Sequence, residues 1–106
     1  MSAASSGFGR RLSLGVEEEL FLVDPETWEL APVVERLLGP PGLKTELFAA
    51  VVETNTPVCG TAGEVLDELR RLRAVVAGAA RREGVAVAAV ASHAFAEPER
   101  QAIVPE

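Results

Sequence analysis

Positive charge is scarce in this chain. Ten lysines and arginines face 16 acids, for a net charge of −6, which argues against the basic patches selected by nucleic acids and anionic membranes. The single cysteine, Cys59, excludes an internal disulfide and gives no sign of a secreted disulfide scaffold. No apolar run approaches the roughly 20 residues that span a bilayer. Residues Met1 to Arg11 are small and polar and lack the apolar stretch of a signal peptide, so a cytoplasmic protein is expected. There is no Gly-rich phosphate loop, no dinucleotide fingerprint and no zinc-ligand spacing. Only one histidine, His93, and one lysine, Lys44, are present.

What is present is apolar and acidic. Hydrophobic residues make up 48 % of 106 positions, enough for one domain at most. Within an apolar strand pattern, Leu14 to Val23, stand Glu17, Glu18 and Glu19. Side chains alternate along a strand, so Glu17 and Glu19 share a face with Cβ atoms about 6.6–6.8 Å apart. Two such carboxylates repel and lose hydration unless cations or hydrogen-bond donors offset the cost. A hard divalent ion with oxygen ligands is the natural offset. The bland alternative is a strand at a sheet edge with both acids solvated. Glu18 points to the other face and needs a separate explanation.

Residues 1–11 read as a disordered leader. A strand is expected over Leu14–Asp24, a turn at Asp24-Pro25-Glu26-Thr27, and a short partner strand around Trp28–Ala31 that closes a hairpin. Pro32–Leu38 suggests one or two helical turns, and Gly39-Pro40-Pro41-Gly42 breaks the chain. A strand is expected over Ala50–Thr56, whereas residues 44–49 suit strand or helix. Thr61 and Glu64 form a capping box ahead of an apolar stripe at Val65, Leu69, Leu72, Val76 and Ala79. Gly84 suits the position that ends this helix. Val85–Ala91 reads as a strand covered on both faces. No element is evident over Ala96–Glu106. Together these predict an α+β fold, with a partial antiparallel sheet and one long packed helix.

Two further acids deserve weighing. Glu53 follows two valines, with Asn55 on the same face; Glu46 lies seven residues earlier. In an unbroken strand positions 46 and 53 face opposite ways, so a shared site requires a bulge or a change of conformation before Ala50. Each has a plain surface alternative. His93, at the end of an apolar strand, suits either a local hydrogen bond or the binding of phosphate or a carboxylate. Cys59 reads as a small buried hydrophobe, and Arg70, Arg71 and Arg73 as the solvated face of the helix.

These residues resemble one family in order. Leu14 to Asp24 is similar to its opening Gly-x-Glu-x-Glu strand, and Lys44-Thr45-Glu46-Leu47-Phe48 with Val52-Glu53-Thr54-Asn55-Thr56 is similar to its second acidic block. The Leu-Arg helix at 66–73, the Ser92-His93-Ala94-Phe95-Ala96 turn and Gln101-Ala102-Ile103-Val104-Pro105 follow. Ala94 departs from the proline usual in that turn. The family is the bacterial type 2 glutamate–cysteine ligases, or carboxylate–amine ligases, similar in fold to glutamine synthetase. The resemblance implies that residues 12–106 are the N-terminal part of a longer catalytic domain. It implies ATP, Mg²⁺, L-glutamate and an amine, cysteine by default, joined through an acyl phosphate into γ-glutamylcysteine for glutathione-type thiol biosynthesis. It implies Glu17, Glu19, Glu53 and Glu46 as metal ligands and His93 as a contact to substrate phosphate or carboxylate. The thin core suggests that the isolated chain is inactive. It leaves open homo-oligomerisation and, as the alternative, a non-catalytic module that associates through an open sheet edge.

Overall fold

A computed structural model of the chain describes residues 13–90 and 102–104. Four antiparallel strands form an open sheet: β1 (Glu17–Val23), β2 (Leu43–Thr45), β3 (Val51–Asn55) and β4 (Ala86–Ala88), in the order β2-β3-β1-β4. One helix, α1 (Ala62–Arg82), packs on one face, and a single 3-10 turn spans Val34–Leu37. The expected α+β arrangement, with a partial antiparallel sheet and one long helix, is therefore present.

The helix forms where its signals lie. The Thr61 hydroxyl accepts from the Glu64 backbone N–H at 3.1 Å, and the Glu64 carboxylate accepts from Gly60 N–H at 2.6 Å, a capping box reaching one residue further back than usual. At the other end Gly84 takes φ +74, its N–H donates to Arg81, and Val85 N–H donates to Ala80. This pair of bonds is the Schellman termination, which glycine adopts without a Cβ clash. Of the predicted stripe, Leu72, Val76 and Ala79 are buried, whereas Val65 and Leu69 are half-buried, so the C-terminal half of α1 covers the sheet.

The core is the layer between them. Leu20 and Leu22 of β1, Val52 of β3 and Leu43 of β2 meet Leu72, Val76, Ala79 and Ala80 of α1, with Val34 and Leu37 of the 3-10 turn closing one end. Burying each such side chain contributes on the order of 1.5–3 kcal/mol. Gly42, at φ +92, sits under α1: a Cβ there would meet Leu72 Cδ2 at 2.9 Å and Asn55 O at 3.1 Å. Glycine is thus required both by its backbone and by the close approach.

Several boundaries move. β1 begins at Glu17 rather than Leu14. Leu14 still exchanges both backbone bonds with Cys59 at 2.7 Å, but between that bridge and β1 the register slips by one residue: Val16 O accepts from Thr56 N–H at 2.9 Å, while Val16 N–H donates to the Thr56 hydroxyl rather than to its carbonyl. The segment after the first turn makes one bridge, Val23 to Leu30, instead of a strand. Asp24 caps the turn by accepting from Glu26 and Thr27 N–H, which holds its carboxyl below the usual range. β3 occupies the middle of the expected Ala50–Thr56 strand. Of the expected Val85–Ala91 strand, β4 takes three of the six described residues, half-buried at the sheet's margin rather than covered on both faces. The expected blank over 96–106 is broken by Ile103, which bridges Phe48. The leader 1–11, the turn at 92–96 and His93 lie outside the described residues.

Candidate metal centre

Alternation sends Leu20, Leu22 and Glu18 of β1 toward α1 and Glu17, Glu19, Phe21 and Val23 to the opposite face, which is buried at its Val23 and Val51 end and exposed at Glu17 and Glu19. Strand register then decides which acids meet. Glu19 stands directly opposite Glu53, Glu17 opposite Asn55, and Lys44 opposite Glu53 on its other side. Directly opposed side chains share a face at close range, where like charges destabilise the pair. Glu19 and Glu53 are therefore opposed at an energetic cost.

Glu46 joins them because the chain changes conformation. β2 ends at Thr45, and residues 46–50 form an irregular link before β3. That link is pinned by tertiary bonds: Leu22 N–H donates to Ala50 O at 2.8 Å, Val34 N–H to Ala49 O at 3.0 Å, Ala49 N–H to Ala102 O at 2.9 Å and Val104 N–H to Leu47 O at 2.9 Å. The required break before Ala50 is present, and it frees Glu46 from strand alternation. Each of Glu19, Glu46 and Glu53 offers a carboxylate oxygen, and these oxygens lie within 4.8 Å of one another. Glu19 and Glu46 are exposed and Glu53 half-buried. Asn55 Nδ2 donates to Glu53 Oε2 at 2.9 Å, which sets the orientation of that carboxylate. Glu17 lies on the same face but is not one of the three.

The donor set fits a hard divalent cation. Ligand oxygens at about 2.1 Å from Mg²⁺ are at most ~4.2 Å apart across the octahedron, so rotation of exposed side chains closes the trio onto one ion. Beside it lies a depression of about 270 Å³ lined by Glu19, Phe21, Glu46, Leu47, Phe48 and Val51, which joins carboxylates to an apolar wall.

Glu18 is accounted for on the other face. Arg73 of α1 grips its carboxylate with two nitrogens, Nε at 2.9 Å and Nη2. The hydrogen bonds, with the guanidinium charge, hold the Glu18 carboxyl below the usual range and raise Arg73. Arg73 is thus not merely part of a solvated face, although Arg71 does no more than pair with Glu68 one turn away. Nothing local pointed to Arg73; its partner is 55 residues away. Cys59 is buried, as expected, and burial, with Glu64 and Glu68, pushes its thiol upward, away from nucleophile chemistry.

Residues 13–106 match the profile described as Glutamate-cysteine ligase family 2. The chain belongs to that family. The named relatives agree. A "Putative glutamate--cysteine ligase 2" of Chloroflexus aurantiacus is 36 % identical over 100 residues, covering 89 % of this chain and 26 % of that protein. The "2-1" protein of Rubrobacter xylanophilus is 37 % identical over 97 residues, 86 % of this chain and 26 % of its own. The "2-3" protein of Paenarthrobacter aurescens is 42 % identical over 89 residues, 79 % and 21 %. The chain therefore spans about a quarter of the length of these ligase-family relatives. No solved structure matches it. Among the described residues no helix is long and apolar enough to cross a membrane.

Proposed function

We propose that this chain is the N-terminal part of an ATP-dependent carboxylate–amine ligase and supplies the cation-binding face of its catalytic domain. The observation that carries the reading is the convergence of Glu19, Glu46 and Glu53, from two strands and an irregular link, to within 4.8 Å. Family membership supports it independently. Glu17, on the same face, is the fourth expected ligand, and His93 is the expected contact to a substrate phosphate or carboxylate. A fold similar to glutamine synthetase, with a larger antiparallel sheet completed by the rest of the protein, belongs to the same proposal. So does a cytoplasmic location.

In the proposed reaction an oxygen of the glutamate γ-carboxylate attacks the terminal phosphorus of ATP, and ADP leaves. The amine nitrogen, from cysteine by default, attacks the acyl carbon. Phosphate leaves, the nitrogen gives up a proton, and an amide bond remains. Two anions must meet in the first step, so charge is the barrier. A divalent ion bound here would supply charge neutralisation to the phosphoryl transfer. The chain's own residues would hold it: Glu19, Glu46 and Glu53 each present an oxygen, and Asn55 keeps the Glu53 carboxylate turned. The irregular link brings Glu46 to the site and the depression beside it. The alternative, a non-catalytic module associating through its sheet edge, draws less support, since the outer strands β2 and β4 offer three residues each.

The test is ATP turnover by the full-length protein as Mg²⁺ is titrated. Glu53→Gln is expected to raise the Mg²⁺ requirement at least about 10-fold, from the loss of one charged ligand. Unchanged turnover at limiting Mg²⁺ rejects the metal role.

A further inference from the structure

Lys44 is the only lysine of the chain, and among the described residues it is the only cation carried by a strand. Arg36 lies on the 3-10 turn, and Arg70, Arg71, Arg73, Arg81 and Arg82 lie on α1. Register puts Lys44 opposite Glu53 and Glu53 opposite Glu19, so the three form a row across the face turned away from α1. Neighbouring strands are about 4.8 Å apart, and the lysine stem is longer than that, so the exposed ammonium sweeps the space over the carboxylates.

Opposite charges placed this way usually pair. Here Glu53 takes Asn55 instead and turns an oxygen toward Glu19 and Glu46. Among the described residues the ion pairs are Arg71–Glu68 and Arg73–Glu18, and Lys44 is in neither. A cation thus stands at the rim of the candidate metal centre, uncommitted to any described carboxylate. Three carboxylates and one divalent ion sum to −1; Lys44 brings the assembly to neutrality before an anionic substrate arrives. An anion approaching the acidic trio from the solvent side would come within reach of the exposed ammonium, and a lysine suits a phosphate or carboxylate oxygen as a point charge.

We infer that Lys44 binds an anionic oxygen of the substrate, from phosphate or carboxylate, at the edge of the cation site. This rests on the ligase reading above. The experiment uses the full-length protein. Mn²⁺ binding is followed by electron paramagnetic resonance, and ADP and L-glutamate binding by calorimetry at saturating Mn²⁺. Lys44→Gln is expected to keep its Mn²⁺ affinity within roughly 3-fold and to lose roughly 10- to 100-fold for one of the two anions. The anion affected names the source of the oxygen, and Lys44→Arg recovers most of the loss. If Lys44→Gln leaves both anion affinities unchanged, or only tightens Mn²⁺, the lysine merely offsets the acids and the inference is overturned. A Glu53→Gln protein that binds Mn²⁺ like the wild type is a different result: it removes the cation site and with it the ligase reading.

Discussion

The two faces of the sheet are made by the same strands and obey opposite rules. Toward α1, Leu20, Leu22 and Val52 are at most 1 % exposed and Thr54 is the one buried polar residue among the described residues. Its hydroxyl donates to Glu18 O at 3.4 Å. The acid on that face, Glu18, is matched by an arginine. On the other face Glu19 and Glu53 are opposed in register, and Glu46 is added to them. One face is built for stability and the other gives some of it up. Holding like charges together lowers stability in the free chain and raises affinity for whatever cation joins them.

The largest expected effect lies on the helix face. Leu72→Ala, at a fully buried position, is expected to lower stability by about 2–5 kcal/mol, measured by denaturant unfolding. A loss below about 1 kcal/mol would mean that α1 is not seated as described.

Next is the pair that ties α1 to the sheet. Arg73→Gln is expected to cost about 0.2–1 kcal/mol, because the arginine is exposed and solvent screens the pair. The sign with pH follows from the depressed Glu18 carboxyl. Its contribution is present above the ordinary glutamate range and is lost as pH falls through the lowered folded value. The difference between wild type and Arg73→Gln is therefore expected at neutral pH and vanishes in acid. A pH-independent difference would assign the effect to packing.

The smallest effect has the opposite sign. Without divalent ions, Glu19→Gln is expected to raise stability by up to about 1 kcal/mol by removing a like-charged cross-strand neighbour. Added Mg²⁺ is expected to stabilise the wild type more than the variant. A variant less stable than wild type in a chelator would show that the carboxylates are not in conflict, and the contrast between faces would fail.

Much of this was legible beforehand. The Thr61/Glu64 start, the Gly84 stop and the stripe through Leu72, Val76 and Ala79 are local signals, and local hydrogen bonds and helical spacing suffice to read them. The alternation of Glu17 and Glu19 against Leu20 and Leu22 is equally local. So was the need for a break before Ala50, which is where the irregular link lies. Less was legible where partners are distant. The late start of β1 depends on the Thr56 hydroxyl taking the Val16 N–H, the shortness of β4 on its place at the margin, and the bridge of Ile103 to Phe48 on a segment with no periodicity at all. Arg73 looked like any other solvated arginine of the helix.

Amino-acid order alone settled which side chains could share a face, because strand and helix periods follow from backbone geometry. It also settled where the helix begins and ends, because the capping groups are neighbours in the chain. Only the folded sheet decided that Glu19 faces Glu53, that Glu46 swings in beside them, that Lys44 stands one strand away and that Glu18 finds Arg73. Those meetings depend on register and packing between segments far apart in the chain, and no local preference encodes a distance across a sheet.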